Sequence, residues 1–230
     1  MSYSAPIHLR PTAPLAERVL LPGDPGRALA LAQSLLVAPL MFNHHRGLWG
    51  YTGEALDGEA LTIQSTGMGG PSAAIVLSEL IGLGAGRAIR VGTCGALVPG
   101  LAPGDLLIAR ESICADGTSR ALGAGERVAA DRSLTENLAG SSPSAHVGTI
   151  VSVDLFYETA SRRRAHEALA VEMEAAALFA VGAAAEIPVA CILAVSDTFD
   201  ASGARRRIDD DALLTAAEAM GAAAVAALAA

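Results

Sequence analysis

Apolar positions along the chain fall into short runs, separated by longer stretches in which they recur every three or four residues. The runs at residues 18–21, 61–65, 88–91, 105–109, 147–151 and 189–195 predict strands. Several are continuous rather than alternating, as expected of strands covered on both faces. The longer periods predict helices over residues 26–36, 71–83, 165–185 and 209–229. Pro71 sits where a first-turn proline is favoured, and Gly86 follows a helix as a stop. Strands alternating with helices predict an α/β fold. One domain over residues 1–230 is expected, with a central mixed β-sheet flanked by helices. The alanine-rich C-terminus reads as an amphipathic closing helix through Leu213, Leu214, Met220 and Val225.

Composition narrows the function. Apolar residues make up 52% of the chain, enough for a substantial core, yet no run is long and pure enough to predict a bilayer crossing. Met1–Pro6 shows no basic region followed by an apolar stretch, so no secretory signal is expected. Cys94, Cys114 and Cys191 are dispersed and lack CxxC spacing, which fits reduced thiols in a cytoplasm. A net charge of −8 argues against a general nucleic-acid binder. The triplets Arg162-Arg163-Arg164 and Arg205-Arg206-Arg207 read as solvated patches. The sequence has no lysine, which excludes a lysine Schiff base and the Walker phosphate loop. Every fixed cation is therefore arginine, the side chain suited to bidentate oxyanion binding.

Ligands of open α/β sheets gather at strand C-termini, and three strand ends here carry unusual residues. Leu21-Pro22-Gly23-Asp24-Pro25-Gly26-Arg27 turns tightly and puts Arg27 at a helix start, where an anion is favoured. Ser65-Thr66-Gly67-Met68-Gly69-Gly70-Pro71-Ser72 is a second strand–glycine turn–helix. It half-resembles a dinucleotide fingerprint, but Ser72 stands where the last glycine belongs. Arg90-Val91-Gly92-Thr93-Cys94-Gly95 places an arginine at a buried strand end, where a guanidinium needs an anionic partner.

Two acidic segments complete the set. Val171-Glu172-Met173-Glu174 is expected at the start of a helix. Its carboxylates would point about 200° apart there, with one free to accept vicinal hydroxyls. Asp197 follows the strand at 189–195, where partial burial favours the protonated acid and proton donation near neutral pH. The five histidines form no metal pattern, and no GxSxG elbow is present, so neither a metal nor a nucleophile motif is expected.

Six motifs occur in order: Pro22-Gly23-Asp24-Pro25-x-Arg27, Arg46-Gly47-x-x-Gly50-Tyr51-Thr52-Gly53, Thr66-Gly67-Met68-Gly69-x-Pro71-Ser72, Arg90-Val91-Gly92-Thr93-x-Gly95, Val171-Glu172-Met173-Glu174 and Ser196-Asp197. Together they resemble the nucleoside phosphorylase/uridine phosphorylase family, and within it the bacterial hexameric purine nucleoside phosphorylases. The likeness implies a phosphorylase/hydrolase-like fold and a phosphate site of Gly23, Arg27, Arg90 and Thr93, with Arg46 reaching in from a neighbouring subunit. It implies ribose contacts from Met68, Met173 and Glu174, and from His8 across the same dimer contact. It places the base near Phe156, Val171, Glu172 and Ser196, with Asp197 as the proton donor to N7. Inorganic phosphate is the co-substrate, no metal or organic cofactor is needed, and a homohexamer built as a trimer of dimers is expected.

Two departures from that family stand out. Relatives carry an arginine on a longer segment after the aspartate, whereas residues 198–208 are short and offer only Arg205, Arg206 or Arg207. The stretch 157–170 is also compact. Uridine phosphorylase is the nearest alternative, but its members recognise uracil through a Gln/Arg pair, and no glutamine lies between Phe156 and Glu172. A nucleosidase would not need three phosphate arginines, and a nucleoside-binding protein without turnover would not need Asp197.

Overall fold

The computed structural model describes residues 6–157, 167–200 and 204–230. One mixed sheet of eleven strands runs through the chain. Its strands are β1 (Arg18–Leu21), β2 (Leu36–Asn43), β3 (Gly50–Ala55), β4 (Ala60–Gln64), β5 (Arg87–Ala96), β6 (Leu106–Ala115), β7 (Arg127–Ala129), β8 (His146–Val153), β9 (Ala170–Glu172), β10 (Val189–Phe199) and β11 (Arg205–Arg207). The helices are α1 (Pro25–Leu35), α2 (Gly70–Leu83), α3 (Gly117–Ala121), α4 (Arg132–Ser141), α5 (Ala175–Ala185) and α6 (Asp210–Ala229).

Strands β1, β4, β5 and β10 run parallel, with β1 between β4 and β5 and β10 on the far side of β5. The path then continues through β6 and β8 to β9, and the last residues of β5 pair with β9. Strands β5, β10, β6, β8 and β9 therefore close on themselves as a ring.

Strand alternation sends successive side chains to opposite faces. Leu20, Ile89 and Ile192 face α1, α4 and α6, where Leu31, Leu138, Met220 and Leu228 are buried. Val19, Leu21, Ala88 and Cys191 face α2 and α5, against Leu77, Leu80, Leu178 and Phe179. The sequence of α5, AAALFAVGAAA, is apolar all round, and its residues from Ala175 to Gly182 are all buried.

The expected helix over 165–185 is corrected. Residues 165 and 166 lie outside the described residues. Ala170–Glu172 is a strand, paired with β5 at Gly95 and Ala96 and with β8 at Ile150 to Ser152. Tertiary pairing wins over helical propensity there, and the helix starts only after Glu174. Strands β2 and β3 escaped the sequence pattern because Pro39, Gly50 and Gly53 interrupt their apolar runs. The C-terminal helix also amends the bilayer expectation. Asp210–Ala229 is long and apolar enough to span a membrane by length and composition, with mean hydropathy 1.7. It nevertheless packs as a core helix, with Ala216, Ala217, Met220, Ala224 and Leu228 buried against the sheet.

Candidate active site

The strand ends of β1, β5 and β10 open into a cleft of about 350 Å³, within the size range of small-ligand sites. Three helices begin at it. Asp24 caps α1 by accepting Arg27 N–H at 2.7 Å. Gly69, at φ 86°, precedes α2, and Glu174 precedes α5. Aligned helix N-termini favour negative charge. The first two loops are joined by backbone bonds: Thr66 N–H donates to Pro22 O at 2.8 Å and Gly67 N–H to Gly23 O at 3.0 Å.

Arg90 is the hub of the cleft. It shares the α2/α5 face of β5 with Ala88, so it points at two helix starts. Its Nε donates to Glu172 Oε2 at 3.0 Å and its Nη2 to Glu174 Oε2 at 2.5 Å. Its Nη1 is buried and has no hydrogen-bond partner among the described residues. Burial opposes the charge on Arg90, but the Glu174 and Glu172 carboxylates outweigh it and hold the group above the ordinary arginine value. Gly92 makes this fold-back possible, because a Cβ there would lie 2.8 Å from Arg90 Cζ. Glu174 Oε1 in turn accepts Gly69 N–H at 2.5 Å.

Glu172 is spent on structure. Its carboxylate takes the backbone N–H of Glu174 at 2.9 Å, that of Ala175 at 3.0 Å, and the Ser152 hydroxyl. Ser152 lies 2.9 Å from Ser112 Oγ. Burial pushes the Glu172 pKa up, against the pull of Arg90. The carboxylate expected to face the base thus faces Arg90 and the start of α5. The about 200° divergence expected of the two acids does not occur either, because residue 172 is in a strand and both side chains converge on one guanidinium.

Arg27 supplies a second cation. Burial lowers its pKa; Asp24 opposes this, while the like charges of Arg90 and Arg207 add to it. Such crowding of positive charge stabilises a bound oxyanion. Thr93 and Gly23 also line the cleft.

A bulge in the β5–β10 ladder after Val195 sets Asp197 opposite Gly95, the kind of irregularity that re-aims a side chain. Asp197 is 6% exposed, its Oδ2 takes the Ser196 hydroxyl at 2.7 Å, and its Oδ1 has no hydrogen-bond partner among the described residues. Strand β10 runs on to Phe199 rather than stopping at Val195, and β11 pairs with it, Asp197 opposite Arg207. Arg205 Nε lies 3.8 Å and Arg207 Nη1 3.9 Å from Asp197 Oδ1. The Arg205 guanidinium also stacks 4.1 Å above the Phe156 ring.

Of the residues expected at the site, Gly23, Arg27, Met68, Arg90, Thr93, Phe156, Val171, Glu172, Met173, Glu174, Ser196 and Asp197 all line this one cleft. His8 and Arg46 do not line it. Arg46 is exposed on the turn His45–Gly47, with φ 60°. Sequence reasoning missed Phe199 and Cys94, and it left open which of Arg205, Arg206 and Arg207 attends Asp197; Arg205 and Arg207 share the face that does. The Arg-x-Arg spacing was the available signal, legible only once β11 is known to be a strand. The triplet Arg162-Arg163-Arg164 lies outside the described residues.

The cleft thus brings together the cations of Arg27 and Arg90, buried carboxylates and the aromatic rings of Phe156 and Phe199. The chain belongs to the phosphorylase superfamily, which it matches over residues 17–230. It is 37% identical to the purine nucleoside phosphorylase DeoD-type of Geobacillus kaustophilus, covering 81% of this chain and 83% of that protein. It is 35% identical to the protein of the same name from Oceanobacillus iheyensis, over 80% and 83%. The Bacillus cereus protein of that name is 36% identical, over 80% and 82%.

Proposed function

We propose that the protein catalyses reversible phosphorolysis of purine ribo- or deoxyribonucleosides, giving the free base and the pentose 1-phosphate. The observation that carries this reading is the grouping around Arg90. Its free Nη1 and Arg27 supply the cations for an oxyanion, Glu174 is bonded to it, and Asp197 lines the same cleft. The names of the three relatives support the purine assignment.

In this reading Arg27, Arg90, Thr93 and the Gly23 backbone hold phosphate, while Glu174 and Met173 hold the sugar, with Met68 beneath it. Phe156 and Val171 pack on the base. Breaking the bond between the anomeric carbon and the base nitrogen leaves positive charge on the sugar and negative charge on the base. Phosphate stabilises the first and attacks the anomeric carbon, and Asp197 gives its proton to N7 of the second. General-acid help of this kind supplies about 10²- to 10⁴-fold, and holding the reactants together adds more. These roles call on protein groups and phosphate only, so the reading requires no metal or organic cofactor.

The site is read as shared between subunits. His8 and Arg46 sit outside the chain's own cleft. Near them Ile7, Trp49, Met68 and Ile75 leave apolar side chains exposed, and Met68 is 88% exposed although it lines the cleft. A second copy covering this face would bring His8 and Arg46 to the neighbour's ribose and phosphate. A homohexamer of three such dimers is the assembly proposed.

The test is to incubate the protein with inosine, adenosine, guanosine or uridine, with and without phosphate, and to follow base release. Phosphate-dependent release from the purine nucleosides is expected. Release that ignores phosphate defeats the phosphorylase reading, and cleavage of uridine alone defeats the purine assignment.

A further inference from the structure

Glu79 lies in α2, ten residues beyond the Gly69 amide that holds Glu174, and has no contact with the cleft. Its carboxylate instead gathers three consecutive backbone amides. Oε1 accepts Ile7 N–H and His8 N–H, each at 3.0 Å; Oε2 accepts His8 N–H at 3.0 Å and Leu9 N–H at 2.7 Å. Successive N–H groups around one anion form a concave nest. Burial works against the charge on Glu79, but the amides of His8, Leu9 and Ile7 and the nearby His8 ring outweigh it and hold the carboxyl below its usual range.

The His8 carbonyl is held as well, 2.9 Å from His45 Nδ1, beside Arg46. Arg46's turn has its own anchor. Asn43 Nδ2 donates to Leu48 O at 2.5 Å and to His45 O at 3.3 Å, and Gln64 Nε2 donates to Leu48 O at 3.0 Å. Thus Glu79 fixes the segment carrying His8, and Asn43 with Gln64 fixes the turn carrying Arg46.

We propose that Glu79 is a positioning residue acting in trans: it sets His8 for the ribose subsite of the paired subunit. The inference rests on the shared-site reading above. A carboxylate is required because three donors converge on it. An amide in its place offers one oxygen and turns an N–H₂ group towards a backbone N–H, leaving donors unpaired.

Glu79→Gln should therefore raise the nucleoside KM by about tenfold and leave the phosphate KM unchanged, because Arg46 keeps its anchors. In a His8→Ala background the same substitution should add nothing, since it acts through His8. The decisive measurement pairs Glu79→Gln subunits with Asp197→Asn subunits by co-expression. In a mixed pair, the Glu79→Gln subunit keeps its own Asp197 and receives a well-placed His8 from its partner. At nucleoside concentrations below the wild-type KM, activity above that of either variant alone, with the wild-type nucleoside KM, is the expected result. No gain on mixing, a rise in both KM values, or dissociation of Glu79→Gln into single subunits overturns the proposal. Glu79→Asp, which retains the charge but withdraws it by one methylene, carries the same comparison if the glutamine variant does not fold. Wild-type protein that releases no base in the presence of phosphate defeats the function itself; an active wild type without complementation defeats only the role of Glu79.

Discussion

Arg90 Nη2 lies 2.5 Å from Glu174 Oε2, so the cation read as a phosphate ligand and the carboxylate read as a ribose ligand are bonded to each other within one chain. Both side chains are almost fully buried, and Glu172 completes the cluster. Removing one member of such a cluster leaves uncompensated charge, which costs far more than a surface pair is worth.

Arg90→Leu should accordingly destabilise the fold by about 3–5 kcal/mol and lower Tm by on the order of 10 °C, besides weakening phosphate. Adding Glu172→Gln to it should recover part of the loss by removing one stranded carboxylate. Thermal unfolding of the single and double variants checks this, and a double variant less stable than the single contradicts the account.

Asp197→Asn retains the shape of the side chain and removes its acid function. Phosphorolysis of adenosine, whose 6-aminopurine leaving group leans most on N7 protonation, should fall by about 10²- to 10⁴-fold. Equal kcat for adenosine in variant and wild type rejects the proton-donor role.

The two arginines flanking Asp197 lie on one face of β11, and Arg206 between them lies opposite Thr198 on the other. Arg205→Ala and Arg207→Ala should each lower kcat/KM by about tenfold, the scale of a lost contact to a charged group. Arg206→Ala should be close to neutral. A loss at Arg206 equal to the others shows that strand alternation does not govern the effect.

Acid stability has a separate source. Arg18 holds Asp57 through two bonds, of 2.7 and 3.0 Å. Chiefly through that hydrogen bonding, Asp57 sits below its ordinary value of 3.8. A carboxyl depressed in the folded state stabilises fully above the unfolded value, and that stabilisation disappears as pH falls through the folded one. The gap in urea midpoint between wild type and Asp57→Asn should be greatest near pH 7 and narrow below pH 3.8. A gap that widens as pH falls through this range contradicts the pairing.

Much of the site was readable because its parts are local: each glycine loop follows a strand and opens a helix, and those signals need no tertiary knowledge. The mixed α/β sheet followed from the same periodicity. What escaped depended on contacts between distant segments. Ala170–Glu172 reads as helix until β5 and β8 claim its backbone, and only then do Glu172 and Glu174 meet on Arg90. The Arg205–Arg207 triplet reads as a surface patch until pairing with β10 makes it a strand. Glu79 reads as an ordinary helix glutamate, because its three partners lie some seventy residues away in the chain.

The ring of β5, β10, β6, β8 and β9 bears on when activity can arise. Its closing pairs, such as Ala88 with Val189, join segments about a hundred residues apart, and long-range pairing of this kind is slow to form. A chain still emerging from the ribosome carries Arg27, Arg46 and Arg90 well before β10 exists. It has the cations but neither Asp197 nor the wall that buries Arg90. Under the proposed function, competence therefore waits for the ring and then for the pairing of subunits, so activity during refolding should return no earlier than the ring shuts.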